Sequence, residues 1–371
     1  MSFVEPAYHD RTLGDLLPAV AAALGVETGL GATSMELPAA PAFVVFLVDG
    51  LGRELVEEHP DDAPYLHSLL AGSADATAGV PSTTATSLTS LGTALTPGEH
   101  GLVGFTSRIP GTNHLLNALM WDKSVDPLEW QPNTTAFARL AAGGVHTTVV
   151  SKREFRQSGL TQAGQRGAEY IGADRVGERL VAVASAAAHR PSVTYVYDGD
   201  LDWTGHRYGV DSPQWRAQLA ATDIACEQLR ERLDPAVRLV VVADHGMVDS
   251  PSVSRLEVDD HPELHDGLAL IGGEARFRHL YCDGGAVADV LTTWREVLGE
   301  RALVITRDDA IARGWFGPVA PAVRPRLGDV VVAARGDFAV ISAARFPYEA
   351  RLVGLHGSLT SREMRIPLLV D

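Results

Sequence analysis

Short apolar runs recur along the chain, and each is bounded by residues that are typical of turns. Runs of this length that are rich in β-branched residues favour strands buried on both faces of a parallel sheet. The pattern predicts strands at Phe43–Val48, His146–Val150, Val193–Tyr197 and Leu239–Ala243.

Alanine-rich stretches with helical periodicity lie between or beside these runs. They predict helices at Ala63–Leu70, Ala136–Ala142, Val176–Ala188 and Ser212–Leu233. Because strands that alternate with helices are typical of α/β proteins, we expect a doubly wound, mostly parallel sheet flanked by helices.

The sequence changes character after Met247. Segment 250–345 is richer in charged residues, glycine and proline, and its apolar runs are shorter. They predict short strands at Ala269–Ile271, Phe277–Tyr281, Leu303–Ile305 and Val330–Ala333, with a helix at Ala286–Leu298. We therefore expect a smaller α+β insertion or cap over 250–345, and a main catalytic core formed by 1–249 and 346–371.

Composition excludes several classes of protein. The 371 residues include 31 basic and 47 acidic side chains, giving a net charge of −16. Without a block of lysine or arginine, this charge argues against a partner that is a nucleic-acid polymer. The cysteines Cys226 and Cys282 cannot build a disulfide framework. With no signal-like segment and no long apolar run, we expect a cytoplasmic protein without a membrane partner, and its oligomeric state stays open.

Carboxylates and imidazoles follow several of the predicted strands. They are Asp49 in VDG, Asp202 and His206 in DLDWTGHRYG, Asp244 and His245 in ADHGM, and a later histidine, His356, in LHG. Taken singly, each is better explained as a turn residue, a helix cap or a hydrogen-bonded structural residue. Parallel strands, however, direct their carboxyl ends to one rim, where so many carboxylates would repel each other without a cation. Together they indicate a site for zinc or a related divalent metal.

A run of hydroxyl residues adds a candidate nucleophile. In VPSTTATSLTSLGTALTPGEHG, Pro81 and Ser82 lead the chain to Thr83 and Thr84 at the predicted start of a helix. A hydroxyl at a helix N-terminus beside a dication is readily deprotonated, and the exposed backbone N–H groups can receive phosphate oxygens.

These motifs, together with VDGLG and APYLHSLL, resemble the alkaline phosphatase superfamily, and within it the type I phosphodiesterase/nucleotide pyrophosphatase family. They occur in the family's order from about Ala42 to Met247 and again at about Gly328–Ser358. The resemblance implies two divalent metal ions, usually Zn²⁺, with Mn²⁺ as an alternative. The implied ligands of one metal are Asp49, Thr84, Asp244 and His245, and those of the other are Asp202, His206 and His356. Thr84 matches the nucleophile.

The resemblance implies hydrolysis of a small-molecule phosphodiester or nucleotide through a covalent phospho-threonine. One departure concerns the substrate. Nucleotide pyrophosphatases generally carry an asparagine shortly after the HG of PxxHG, whereas this chain reads HGLVGFTSR. We expect the phosphate oxygen to contact the backbone N–H of Thr84 or the Thr106 hydroxyl instead. A phosphomonoesterase, a phosphonate hydrolase and a non-catalytic metal-binding homologue stay open as alternatives.

Further side chains could contact the substrate. Lys152 and Arg153 follow a predicted strand, and they either clamp a substrate phosphate or lie in a solvated turn. Trp121, Trp130 and Trp203 could stack on a base, although packing is the expected use of each. His100 in PGEHG is expected to order its loop rather than bind metal.

Overall fold

The computed structural model of the chain describes residues 3–371. Its strands are β1 (Ala42–Val48), β2 (Ala74–Thr77), β3 (Thr106–Arg108), β4 (Leu115–Asn117), β5 (His146–Ser151), β6 (Glu169–Gly172), β7 (Ser192–Asp198), β8 (Val237–Val242), β9 (Val248–Asp249), β10 (Arg255–Glu257), β11 (Leu268–Glu274), β12 (Phe277–Cys282), β13 (Ala302–Thr306), β14 (Val330–Ala334), β15 (Ala339–Ile341), β16 (Gly354–Leu355) and β17 (Arg365–Val370).

The α-helices surround these strands. They are α1 (Leu16–Leu24), α2 (Arg53–Glu58), α3 (Pro64–Leu69), α4 (Thr84–Thr93), α5 (Pro97–His100), α6 (Pro127–Trp130), α7 (Ala136–Ala142), α8 (Gly159–Gly164), α9 (Val176–Ala186), α10 (Asp200–Tyr208), α11 (Pro213–Arg232), α12 (Val287–Leu298), α13 (Arg307–Ala312) and α14 (Ser361–Met364). Within residues 3–371, no helix has both the length and the apolar character that crossing a membrane requires.

A seven-stranded sheet in the order β2-β17-β8-β1-β7-β5-β6 forms the centre of the molecule. Strand β1 is buried along its whole length and pairs in parallel with β7 and β8. Strands β5 and β6 continue the parallel arrangement, whereas β17 is antiparallel to both β8 and β2. The prediction of a mostly parallel α/β sheet is confirmed.

The apolar runs correspond to the strands near the middle of this sheet, which are β1, β5, β7 and β8. The edge strand β6 was missed because it is short and partly exposed, so its sequence lacks a continuous apolar run. Helix α11 begins after Ser212, whose hydroxyl accepts a hydrogen bond from the Trp215 N–H at 3.2 Å. This N-cap explains why the helical pattern starts there.

A second sheet lies within segment 250–345. It has the order β11-β12-β14-β13, it is antiparallel, and Trp294 of α12 packs in an apolar cluster with Leu280 and Val332. Arg276 in the turn before β12 forms a buried ion pair with Glu363 of the main body at 2.6 Å. The division of the chain at 250 and 345 stays a prediction, but this ion pair links the second sheet to the main body.

Candidate active site

The site begins where β1 and β8 end. Asp49 follows β1, Asp244 lies two residues beyond β8, and the Gly50 N–H donates a hydrogen bond to Asp244 Oδ1 at 3.1 Å. Gly50 has a φ of +73°, and a Cβ at this position would lie 3.0 Å from the Cβ of Asp202. A glycine therefore follows Asp49 because the turn needs a left-handed residue and because Asp202 approaches so closely.

Four of the predicted residues meet in a first cluster. His245 Nε2 lies 3.5 Å from Asp49 Oδ1 and 3.5 Å from Asp244 Oδ2. The Thr84 hydroxyl lies 3.4 Å from Asp49 Oδ2 and 3.3 Å from His245 Nε2. All four side chains are buried.

The remaining three predicted ligands meet beside them. Asp202 and His206 are four residues apart on α10, and this spacing places Asp202 Oδ2 3.3 Å from His206 Nε2. His356 Nε2 lies 3.3 Å from His206 Nε2 and 3.9 Å from Asp202 Oδ1. Ligand atoms of Asp49, Asp202 and His245 also lie within 4.8 Å of one another, so the two clusters adjoin.

Backbone carbonyls orient the three imidazoles. The Nδ1 atoms of His206, His245 and His356 lie 2.7, 2.9 and 2.9 Å from the carbonyl oxygens of Gly354, Gly246 and Ser82. An Nδ1–H that donates to a carbonyl leaves Nε2 with its lone pair. Each Nε2 faces the carboxylates, which is the orientation of a metal-ligating histidine.

The electrostatics of the clusters fit bound cations. Asp49 Oδ1, Asp202 Oδ1 and Asp244 Oδ2 are buried and accept no hydrogen bond within residues 3–371. Burial, together with the neighbouring Asp244 and Asp202, raises the pKa of Asp49 well above its usual range, and burial also raises the pKa of Asp244. Buried carboxylates without partners are costly unless a cation neutralises them. The donor set of carboxylate, imidazole and hydroxyl groups is one that zinc accepts. The assignment of individual ligands stays a prediction.

The loop before α4 is tied to the loop that carries His356. The Ser82 hydroxyl donates to the carbonyl of Ser358 at 2.6 Å, and the Ser82 N–H donates to the carbonyl of Gly357 at 3.1 Å. Because His356 Nδ1 in turn lies beside the Ser82 carbonyl, the two loops fix each other's position. Thr84 is the first residue of α4, as the sequence predicts.

A cavity of about 610 Å³ opens beside Thr84. Besides Thr84, Asp202, His206 and His356, its lining includes Phe105, Asn117, Leu119, Met120, Trp203, Arg207, Glu274, Tyr348 and Arg351. The candidate nucleophile and three predicted ligands therefore face a space large enough for a small organic molecule.

Sequence reasoning missed three polar residues of the site. Tyr197 donates its hydroxyl hydrogen to Asp49 Oδ2 at 2.5 Å. Asn117 lines the cavity, and its Oδ1 accepts hydrogen bonds from the N–H groups of Leu119 and Met120 at 3.0 and 2.9 Å. Glu274 also lines the cavity, and burial raises its pKa to about 8. Tyr197 ends a strand that was identified, but Asn117 and Glu274 come from segments with no motif to mark them.

The predicted substrate contacts lie elsewhere. The Thr106 hydroxyl is buried and donates to the Gly273 carbonyl at 2.8 Å. Lys152 Nζ lies 2.9 Å from Asp200 Oδ1, and Arg153 pairs with Asp174. None of the three is among the described residues that line the cavity. Their role as substrate contacts stays a prediction without support from this geometry.

The sequence also raised expectations for the tryptophans and for His100. Trp121 and Trp130 pack edge to face, with ring centroids 6.4 Å apart. Trp203, for which packing was expected, instead lines the cavity and is 57% exposed. His100 is buried, and its Nε2 lies 2.8 Å from the Ser90 hydroxyl, away from both clusters.

Comparisons with known proteins give a family and a fold. The family described as type I phosphodiesterase / nucleotide pyrophosphatase matches residues 43–359. Murine ectonucleotide pyrophosphatase/phosphodiesterase 5, solved in complex with AMP, superposes with a TM-score of 0.67 at 16% identity, over 88% of this chain and 87% of its own. Phosphonoacetate hydrolase from Sinorhizobium meliloti 1021, in complex with phosphonoformate, superposes with a TM-score of 0.66 at 17% identity, over 92% of each chain. The search of curated proteins gave no match. At these identities the solved structures show a shared fold.

Proposed function

The chain belongs to the type I phosphodiesterase/nucleotide pyrophosphatase family, and from this premise we propose that it hydrolyses small-molecule phosphodiester or phosphoanhydride bonds through a covalent intermediate on Thr84. One observation carries the proposal. Thr84 is the first residue of the buried helix α4 and lines the cavity. Its hydroxyl lies within 3.4 Å of Asp49 and His245. A nucleophile needs this combination of activating neighbours and an open side.

In this proposal the two clusters would hold two divalent ions, Zn²⁺ or alternatively Mn²⁺. The first would be held by Asp49, Thr84, Asp244 and His245, and the second by Asp202, His206 and His356. When bound, such ions lower the pKa of the Thr84 hydroxyl and neutralise charge on the phosphoryl group.

The chain's own groups define the reaction. Thr84 Oγ1 loses its proton and attacks phosphorus, and the bond from phosphorus to the leaving oxygen breaks with its electron pair on that oxygen. The leaving oxygen takes up a proton, so an alcohol or a phosphate departs. Water then attacks the phosphorus on Thr84, which restores the hydroxyl and frees the second product.

Asn117 is suited to hold a phosphoryl oxygen in both steps. Its Oδ1 is engaged by the Leu119 and Met120 N–H groups, so the amide is oriented with Nδ2 as its remaining donor. The side chain lines the same cavity as Thr84. A donor placed there would strengthen its hydrogen bond as charge develops on phosphorus-bound oxygen. In this proposal Asn117 takes the role that the sequence suggested for the backbone N–H of Thr84 or the Thr106 hydroxyl.

The test is Thr84→Ala, with bound metal measured beside hydrolysis of bis-p-nitrophenyl phosphate. We expect turnover to fall by about a thousandfold or more, since removing a nucleophile leaves only binding and electrostatic contributions. Thr84→Ser is the matched control because it keeps the hydroxyl. Turnover that survives in Thr84→Ala at full metal content would show that Thr84 is not the nucleophile.

The choice of substrate separates the alternatives on the same scaffold. Faster turnover of p-nitrophenyl phosphate than of the diester would favour a phosphomonoesterase. If phosphonoacetate is turned over and neither ester is hydrolysed, a phosphonate hydrolase is favoured.

A further inference from the structure

The outer part of the cavity has aromatic walls. Trp203 of α10 forms one wall, and Tyr348, packed edge to face on Phe105 with ring centroids 5.6 Å apart, forms another. Trp203 is 57% exposed, Tyr348 40% and Met120 80%. Large apolar side chains exposed around one cavity indicate a surface that a ligand covers.

Two arginines line the same cavity. The guanidinium carbon of Arg207 lies 5.2 Å from the centroid of the Trp203 ring. Within residues 3–371, neither Arg207 nor Arg351 forms an ion pair with a carboxylate. Stacking uses the face of a guanidinium and leaves its in-plane N–H donors free for a carboxylate or a phosphate.

The backbone that carries these two arginines is held beside the two clusters of predicted ligands. Trp203 and Arg207 each follow a predicted ligand on α10, so they lie about 100° around the helix from Asp202 and His206. The Val353 N–H donates to the His206 carbonyl at 2.7 Å, which holds the segment carrying Arg351 against the same helix.

The two arginines are positive charges in an acidic surrounding. The chain has a net charge of −16, and the cavity lining includes the acidic residues Asp202, Glu274 and Glu349. Among the described lining residues, Arg207 and Arg351 are the ones with a permanent positive charge. An anionic group is therefore attracted to the outer part of the cavity.

We propose that Trp203, Arg207 and Arg351 form a subsite for a planar aromatic group that carries a negative charge of its own. The favoured substrate is then a phosphodiester in which one ester group is aromatic and bears an additional carboxylate or phosphate. This inference rests on the proposed function, because it names the organic group that lies beside the phosphoryl group at Thr84.

The experiment compares two synthetic diesters with the same leaving group, phenyl p-nitrophenyl phosphate and 4-carboxyphenyl p-nitrophenyl phosphate. We expect kcat/KM to be about threefold to tenfold higher for the carboxylated ester at low salt, because the arginines are partly exposed and screened. The preference should shrink as NaCl is raised. In the double variant Arg207→Gln/Arg351→Gln the two esters should have equal kcat/KM.

Arg313→Gln is the control, since Arg313 is exposed and lies outside the cavity lining; it should keep the wild-type preference. Equal kcat/KM for the two esters in the wild type, or a preference that persists in the double variant, would overturn the subsite. If neither ester is hydrolysed, the proposed function fails. The subsite is then tested by calorimetric titration with 4-carboxyphenyl phosphate and phenyl phosphate. Tighter binding of the carboxylated ligand is expected, and equal affinities would overturn the subsite.

Discussion

Substituting Gly50 by alanine tests whether the turn after β1 positions Asp202. A left-handed residue other than glycine costs about 1–2 kcal/mol, and Gly50 has a φ of +73°. The new Cβ would also lie 3.0 Å from Asp202 Cβ and 3.1 Å from Asp202 Cα, closer than carbon atoms normally pack. Because Asp202 Cα belongs to the backbone, a change of side-chain rotamer cannot remove this close contact, and α10 must move by a few tenths of an ångström. We expect a total loss of about 2–4 kcal/mol, combining the strain with a moderate overpacking cost.

Gly25→Ala is the matched control. Gly25 has nearly the same φ, +69°, but its new Cβ would meet nothing within 4 Å. It should therefore carry the backbone strain alone. Thermal unfolding and elemental analysis are measured for both variants: Gly50→Ala should unfold at the lower temperature and lose metal from the cluster of Asp202, whereas Gly25→Ala should keep its full metal content. Equal unfolding temperatures and equal metal contents would refute the reasoning.

Three further predictions concern the cavity and its carboxylates. Asn117→Asp keeps the acceptor for the two N–H groups and removes the amide donor, so kcat for bis-p-nitrophenyl phosphate should fall by about a hundredfold or more while the unfolding temperature changes little. Burial raises the pKa of Glu274 in the folded protein to about 8, above its pKa in the unfolded chain. The wild type therefore loses stability as pH rises from the unfolded pKa to the folded pKa. The gain in unfolding temperature from Glu274→Gln should accordingly be larger at pH 9 than at pH 5. Chelation should leave Asp49 Oδ1 and Asp244 Oδ2 without a partner, and because burial raises the pKa of both carboxyls, the drop in melting temperature caused by chelation should be larger at pH 8 than at pH 5.

The sequence was most informative where burial imposes a pattern. Strands β1, β5, β7 and β8 are apolar because helices or other strands cover them, and this produces runs that can be recognised without coordinates. The parallel sheet then brings their carboxyl ends to one rim, so Asp49 and Asp244 could be placed together before any distance was known.

Residues outside that pattern could not be placed. Asn117 enters the cavity because β4 pairs with β3, with Asn117 opposite Thr106, and such short strands carry little periodicity. Glu274 and Arg351 reach the site through the packing of segment 250–345 and its return to the main body. That packing depends on contacts such as the buried pair of Arg276 and Glu363, which are distant in the sequence. Lys152, by contrast, follows β5 as expected but is paired with Asp200.

The measurement that tests the central claim most directly is the metal content of protein purified without chelator, determined by elemental analysis together with activity on bis-p-nitrophenyl phosphate. The buried, unpartnered oxygens of Asp49, Asp202 and Asp244 predict about two zinc or manganese ions per chain, with hydrolysis that chelator abolishes and added metal restores. Protein that hydrolyses the diester at full rate without any bound metal would contradict the account.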